Sequence, residues 1–263
     1  MKINSPAKIN LTLDVLGIEK TPGSHCGYHF VDTVMHEIGL ADELTFTLLD
    51  EDKIIIESDC PSLPSGEKNT IFKAIKLLEP LRQTKKQQSA RGIKVEIKKN
   101  IPLSSGLGGG SSNAAATLKA LNQLWGLKLS PARLRRLAAK IGMDVPFFIE
   151  GGTARCTHYG EKVRPLPAVK LPPHIIVMDD QKSSTKEMYA ALDAYAGADF
   201  NTLQTPKTRA LKKKLLQLGA KVVQTCGSGP ALYALFESEM IKRKVYKELK
   251  GQVRFIWQNQ NKN

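Results

Sequence analysis

The stretch Ser104-Ser105-Gly106-Leu107-Gly108-Gly109-Gly110-Ser111-Ser112-Asn113-Ala114-Ala115 puts four glycines into five residues and runs straight into a patterned helix. Glycine lacks a Cβ, so such a loop turns tightly and carries its amides close to a ligand. The first N–H groups of the following helix have no intrahelical partner, and the helix dipole is positive at that end. Together these features make a site for a phosphate-like anion. A flexible connector is the bland alternative, but it would need neither the strand before it nor the helix after it. No Gly-Lys-Ser/Thr follows, so this is not a Walker A loop, and G-x-G-x-x-G is not completed.

Upstream of the loop, Ile93, Val95 and Ile97 alternate with charged residues, which predicts a half-buried strand ending at Ile101-Pro102. Downstream, Ala115, Leu118, Leu121 and Trp125 keep helical spacing. Ser130-Pro131 opens a further helix that Gly142 closes. Nearer the start, residues 7–18, 28–38 and 43–57 carry strand signals, and Asn69 is a plausible cap for a helix built on Ile71, Ile75 and Leu78. The second half predicts a strand at 175–178, helices at 186–192 and 207–218, and strands at 221–225 and 231–236. Gly227-Ser228-Gly229-Pro230 joins the last two. A basic helix and a strand at 253–257 complete the chain. Strands and helices come in blocks, not in βαβ alternation, which points to an α+β fold. Two lobes are expected, 1–160 and 161–263, with the boundary around Tyr159-Gly160-Glu161.

The chain has 263 residues, ample for a core that needs no disulfide or metal. No apolar run approaches the ~20 residues of a membrane span, and the charged N-terminus does not resemble a secretory signal. The four cysteines are scattered without CxxC spacing, against a zinc or disulfide framework and in keeping with a reducing cytosol. A cytoplasmic protein is expected. Against 25 Asp+Glu stand 39 Lys+Arg, a formal charge of +14, which attracts polyanions. The basic residues cluster at 82–99, 133–140, 207–221 and 242–250. At 133–140 they lie on the polar face of a patterned helix, and no aromatics of the kind single-strand stacking needs are interleaved with the basic residues. Nucleic-acid binding is therefore disfavoured.

Two charged residues stand out. Asp144, in Gly142-Met143-Asp144-Val145-Pro146-Phe147-Phe148, is a carboxylate beside apolar residues, costly to bury without a partner. It could equally cap a short helix. Lys8, in Pro6-Ala7-Lys8-Ile9-Asn10-Leu11, shares a face with Asn10. It could face water at a strand end, or pair with Asp144 and keep it ionised beside a substrate hydroxyl. The second glycine loop could be no more than a hairpin turn.

Taken together, these segments resemble the superfamily of galactokinase, homoserine kinase, mevalonate kinase and phosphomevalonate kinase. Its three motifs occur in order at 6–11, 102–115 and 227–230. Within it the chain is most similar to the 4-diphosphocytidyl-2-C-methyl-D-erythritol kinase family, whose P-A-K-I-N-L, G-Y-H, G-L-G-G-G-S-S-[DN]-A-A and G-x-D-V-P-F-F marks are all present. Gly27-Tyr28-His29 supplies the second of these, and Ser184-Thr185-Lys186-Glu187-Met188-Tyr189 resembles a further family stretch.

The resemblance implies two α+β lobes with ATP, Mg²⁺ and substrate in the cleft between them. It also implies phosphorylation of the 2-hydroxyl of 4-diphosphocytidyl-2-C-methyl-D-erythritol, a step of non-mevalonate isoprenoid synthesis. By the same resemblance Asp144 is the general base and Lys8 its support. Pro102, Gly106, Leu107, Gly108, Gly109, Gly110, Ser111 and Ser112 surround the ATP phosphates, while Asn69 and Lys99 approach the adenine end. Tyr28, His29 and Tyr189 form the cytosine pocket, with Asn10 and Thr185 as further substrate contacts. For Asn69 a helix cap, and for Lys99 a solvated strand end, are the structural alternatives. Either Ser111 or Ser112 could reach the metal.

The sequence departs from the family pattern at Cys26, Met143, Asp179-Asp180-Gln181 and Asn201-Thr202-Leu203-Gln204. A sister kinase acting on homoserine or mevalonate, and a catalytically silent RNA-binding relative, are the alternatives.

Overall fold

A computed structural model describes residues 1–82, 92–180, 185–194, 200 and 203–260. Two sheets organise them. In the first, β1 (Lys2–Ile18) pairs antiparallel with β2 (His29–Leu49) along almost its whole length. The opposite edge of β2 is shared. Its far end pairs with β4 (Gly92–Lys98), which also carries parallel β3 (Ile54–Ser58). Its near end pairs with β5 (Thr153–His158), followed by β6 (Lys162–Pro165).

The expected strands at 28–38 and 43–57 are corrected here. Residues 29–49 form one continuous strand, and the charged turn Asp50-Glu51-Asp52-Lys53 then separates β3. β5 and β6 had no clear sequence signal. Polar and basic residues alternate with a few buried ones, such as Ala154 and Cys156. The expected lobe boundary at 160 falls just before β6, which pairs into the first sheet.

Among the described residues, four α-helices accompany this sheet. In α1 (Thr70–Leu78), Ile71, Ala74, Ile75 and Leu78 are all buried, as their spacing predicts. Next come α2 (Gly109–Leu124), α3 (Pro131–Ala138) and α4 (Val145–Glu150). α2 packs on β1 and β2, with α1 and α4 beside it. Alanines 114, 115, 116 and 120 let it approach closely, and Leu118, Leu121, Phe147 and Phe148 fill the shared core.

The second sheet has the order β10 (Phe255–Gln258), β7 (His174–Met178), β9 (Leu232–Leu235), β8 (Val222–Thr225), all antiparallel. One face is covered by α6 (Pro206–Gln217) and α7 (Glu239–Leu249), through Leu211, Leu215, Val245 and Leu249. The other face, with Ile176 and Tyr233, meets Ala7, Ile9, Ile38, Leu40, Ile101 and Leu107 of the first sheet and its loop. α5 (Thr185–Ala194) lies between β7 and α6 in sequence. The architecture is α+β.

Candidate active site

Three separated motifs converge on Lys8. β1 brings it under the glycine loop, where its backbone N–H donates to the Leu107 carbonyl at 2.9 Å. Gly108 takes φ 74°, and a Cβ there would stand 2.8 Å from the Phe148 ring and 3.1 Å from Lys8 Cγ. That glycine is required by both backbone and space. The second loop arrives from the other sheet. A Cβ on Gly227 would lie 3.2 Å from Lys8 Nζ, and one on Gly229 would fall within 2.0 Å of the Ser105 carbonyl oxygen. The 227–230 segment is therefore more than a hairpin turn: it packs directly on the first loop, and Ala231 N–H donates to Ser105 at 3.2 Å.

Lys8 is only 3% exposed, which excludes the solvated alternative. Its ammonium donates to Asn10 Oδ1 at 2.8 Å and stands 3.7 Å from Asp144 Oδ2. Asn10 in turn donates to Thr33 Oγ1 at 2.8 Å, which holds the amide in one orientation. Asp144 occupies the position where it could cap α4, yet its side chain makes no capping hydrogen bond. The carboxylate, about one-third exposed, faces the cleft beside Lys8. The carboxylate is thus held at a fixed place and open to a ligand, the arrangement a proton acceptor needs.

The cleft itself measures about 1100 Å³. Gly106, Gly108, Gly109, Gly110 and Ser111 line it, as do Pro102, Asn69, Lys99, Asn10, Tyr28 and His29. Gly108, the N-cap of α2, offers no side-chain cap, so the first amides of α2 are left for a ligand. Leu107 and Ser112 are exceptions among the expected loop residues. The Leu107 side chain is buried in the core between the sheets, and the Ser112 hydroxyl is buried and accepts from Ser5 Oγ at 2.7 Å. Of the two candidate serines, Ser111 alone lines the cleft.

Asn69 does cap α1, accepting from Ile71 N–H at 2.9 Å while its amide donates to Pro64 at 2.8 Å. Lys99 is not a solvated strand end. Its side chain is 6% exposed and pairs with fully buried Asp42. Asp42 also accepts from the N–H groups of Asn100 and Ile101, each at 2.8 Å, and from Asn113 Nδ2 at 2.9 Å. This carboxylate went unnoticed in the sequence because nothing near it marks it. Its partners lie 57 to 71 positions away.

At the other end of the cleft, Tyr28 is 41% exposed. Tyr159, a second residue without a sequence signal, lines the cleft with its ring 5.5 Å from that of Tyr28 and stacked on Phe30 at 5.1 Å. Its hydroxyl donates to Glu19 at 2.9 Å. His29 Nε2 lies 2.8 Å from Asp193 Oδ1 of α5. Thr185 and Tyr189 belong to α5, but their side chains lie outside the described residues.

Of the departures, Cys26 and Met143 line the cleft. Asp179 pairs with Lys207 at 3.5 Å, and Asp180 accepts from Thr205 Oγ1 at 2.5 Å, so both serve the α6 side of the fold. Gln181, Asn201 and Thr202 lie outside the described residues. Gln204 is buried and donates to the Phe200 carbonyl.

Residues 69–152 match the GHMP kinases N terminal domain, and residues 183–254 match the GHMP kinases C terminal family. A 4-diphosphocytidyl-2-C-methyl-D-erythritol kinase of Bacillus velezensis is 37% identical over 94% of this chain and 92% of its own. One of Listeria monocytogenes is 36% identical over 95% and 92%. The chain belongs to the 4-diphosphocytidyl-2-C-methyl-D-erythritol kinase family. It is a kinase, and membership among the GHMP kinases makes ATP its phosphoryl donor.

A crystal structure of 4-(cytidine 5'-diphospho)-2C-methyl-D-erythritol kinase superposes with a TM-score of 0.78 at 27% identity, covering 98% of both chains. Methanococcus jannaschii mevalonate kinase, at 0.70 and 17% identity, covers 98% of this chain and 97% of its own and shares the fold alone. Among the described residues, no helix is long and apolar enough to cross a membrane.

Proposed function

We propose that this family member transfers the γ-phosphoryl group of ATP to the 2-hydroxyl of 4-diphosphocytidyl-2-C-methyl-D-erythritol, in the cytoplasm, as a step of isoprenoid precursor synthesis. One observation carries the proposal. The Lys8–Asp144 pair, at 3.7 Å, stands in a single cleft between a phosphate-binding loop and an aromatic end able to stack on a base.

Asp144 takes the proton of the substrate hydroxyl. The freed oxygen forms its bond to the γ-phosphorus, the bond from that phosphorus to the bridging oxygen breaks, and ADP leaves with the electron pair. Lys8, held by Asn10 at 2.8 Å, stands 3.7 Å from the Asp144 carboxylate and fixes its position. Charge in a loose transition state spreads over the phosphoryl oxygens, so the chain acts mainly by positioning and neutralising. The amides of Gly106, Gly108, Gly109, Gly110 and Ser111 and the dipole of α2 supply that field. Pro102, Asn69 and Lys99 border the nucleotide. Leu107 and Ser112 contribute through backbone alone. Tyr28, His29, Asn10, Thr185 and Tyr189 bind the cytidine substrate, with the aromatic faces on the base.

Magnesium fits as an ion carried by the nucleotide. Such an ion takes few protein ligands besides phosphates and water, and among the described residues no three metal-binding side chains cluster. Ser111 and one Asp144 oxygen, both lining the cleft, would hold it, and it would neutralise phosphate charge.

The test is ADP release with ATP and Mg²⁺ against 4-diphosphocytidyl-2-C-methyl-D-erythritol, homoserine and mevalonate. Turnover is expected with the first alone, and Asp144→Asn should lower it by about 10²–10⁴-fold while ATP still binds. Turnover of homoserine or mevalonate instead would refute the cytidine assignment. Wild-type rates in the variant would remove Asp144 from the role of base.

A further inference from the structure

His29 opens β2 and Asp193 lies near the end of α5, 164 positions later, yet Nε2 and Oδ1 are 2.8 Å apart. Both residues line the cleft at the end where Tyr28 and Tyr159 stand. The imidazole is 7% exposed and the carboxylate 45%, so the ring is enclosed while the acid remains open to a ligand. An ionised carboxylate only accepts hydrogen bonds, so the proton between the two sits on Nε2. This corner of the cleft therefore offers the Asp193 carboxylate, whose oxygens accept hydrogen bonds.

We infer that Asp193 is a specificity-determining residue: it makes this corner favour a pyrimidine that carries an amino group over one that carries a carbonyl at the same position. Cytosine presents an N4 amine donor, to which a carboxylate is a matched acceptor. Uracil places a carbonyl oxygen there, and two acceptors then face each other with no proton between them. The preference is enforced by repulsion as much as by attraction. The inference rests on the proposed cytidine-bearing substrate and names the residue that would read its base.

The experiment compares kcat/KM for the cytidine substrate and its uridine counterpart in wild type, Asp193→Asn, Asp193→Ala and Asp193→Glu. Wild type should prefer cytidine at least about tenfold, the discrimination of one matched polar pair. Asparagine, which can turn an N–H toward a carbonyl, should narrow the ratio about tenfold, with the change in KM for the nucleoside substrate and not in kcat. Alanine should narrow it too, and glutamate should restore part of it. A change that only loosened α5 would lower both substrates alike and leave the ratio intact. Inhibition by CMP against UMP reads the same preference in any variant too slow to assay. Wild-type enzyme that phosphorylates neither substrate overturns the proposed function and this inference with it. Wild-type enzyme that phosphorylates the cytidine substrate, with both Asn and Ala variants keeping its ratio, overturns this inference alone.

Discussion

Lys8 and Asp144 are ordinary residues until their surroundings are known. Alternation along β1 places Lys8 and Asn10 on one face, and for an edge of a sheet that face is usually wet. Here Ala7, Lys8, Ile9 and Asn10 are all buried, because α2 lies on one side of β1 and the glycine loops with the second sheet lie on the other. Burial of both faces depends on segments 100 to 220 positions away, so no local pattern reports it. The same enclosure governs the thiols. Burial pushes Cys226 up to about 12. Burial does the same to Cys156, with the Asp144 charge adding to it, also to about 12. Both thiols therefore stay protonated and unreactive near neutral pH. Cys26 is exposed at the mouth of the cleft. Alkylation of the native protein at pH 7.5, followed by peptide mass spectrometry, should label Cys26 first, and Cys156 and Cys226 only after unfolding. Labelling of Cys156 at the rate of Cys26 would contradict this.

At the scale of elements, the glycine loop depends on how three chain segments are tied. Asp42, inside β2, gathers the end of β4 through two N–H groups and Lys99, and α2 through Asn113. Removing one partner of a buried pair strands the other charge, at a cost of about 3–5 kcal/mol. Asp42→Ala should lose stability of that order in urea unfolding, and Asp42→Leu/Lys99→Met should recover only the part due to the stranded Lys99 charge, since the Asn100 and Ile101 N–H groups and the Asn113 amide still lack their acceptor. A loss below about 1 kcal/mol for the single variant would mean that water solvates Lys99 and that the tie is weak. The helices around this junction were legible, since α1, α2 and α6 begin within a few residues of their cap and periodicity signals. The length of β2 was not. Pairing of Ile38 with Ala7 on one side and of Ala41 and Asp42 with Pro6 and Ser5 on the other carries the strand past Gly39 and Leu40, where the register shifts.

Across the whole molecule, the two sheets meet through a shared apolar layer, and a groove lined by His36 of β2 and His174 of β7 runs along that seam. Burial lowers both imidazoles below their usual range. For His174 the Lys242 charge and the His36 ring add to the effect, while its bond to the Pro172 carbonyl opposes it. The sign follows directly. The unfolded chain takes up protons from about pH 6.5 downward that the folded chain resists, so their contribution is complete above that value and is lost as pH falls through the lowered folded values. The melting temperature should drop between pH 7 and 5, and His174→Gln should flatten the slope. An unchanged slope would show that other groups cause it. The surplus charge lies largely away from the cleft, with Lys213, Arg243, Lys244 and Lys247 exposed on α6 and α7.

The sequence by itself determined the α+β class, the glycine loop at a helix start and the family, because glycines in a row, capping residues and helical spacing act within a few residues of one another. Tertiary structure alone decided that Lys8 is buried against Asp144, that Asp144 caps nothing, that Lys99 answers to Asp42, and that Tyr159 and Asp193 join the aromatic end of the cleft. Each of these is a meeting of side chains from distant segments, and burial and electrostatics are set by what the fold brings within a few ångströms.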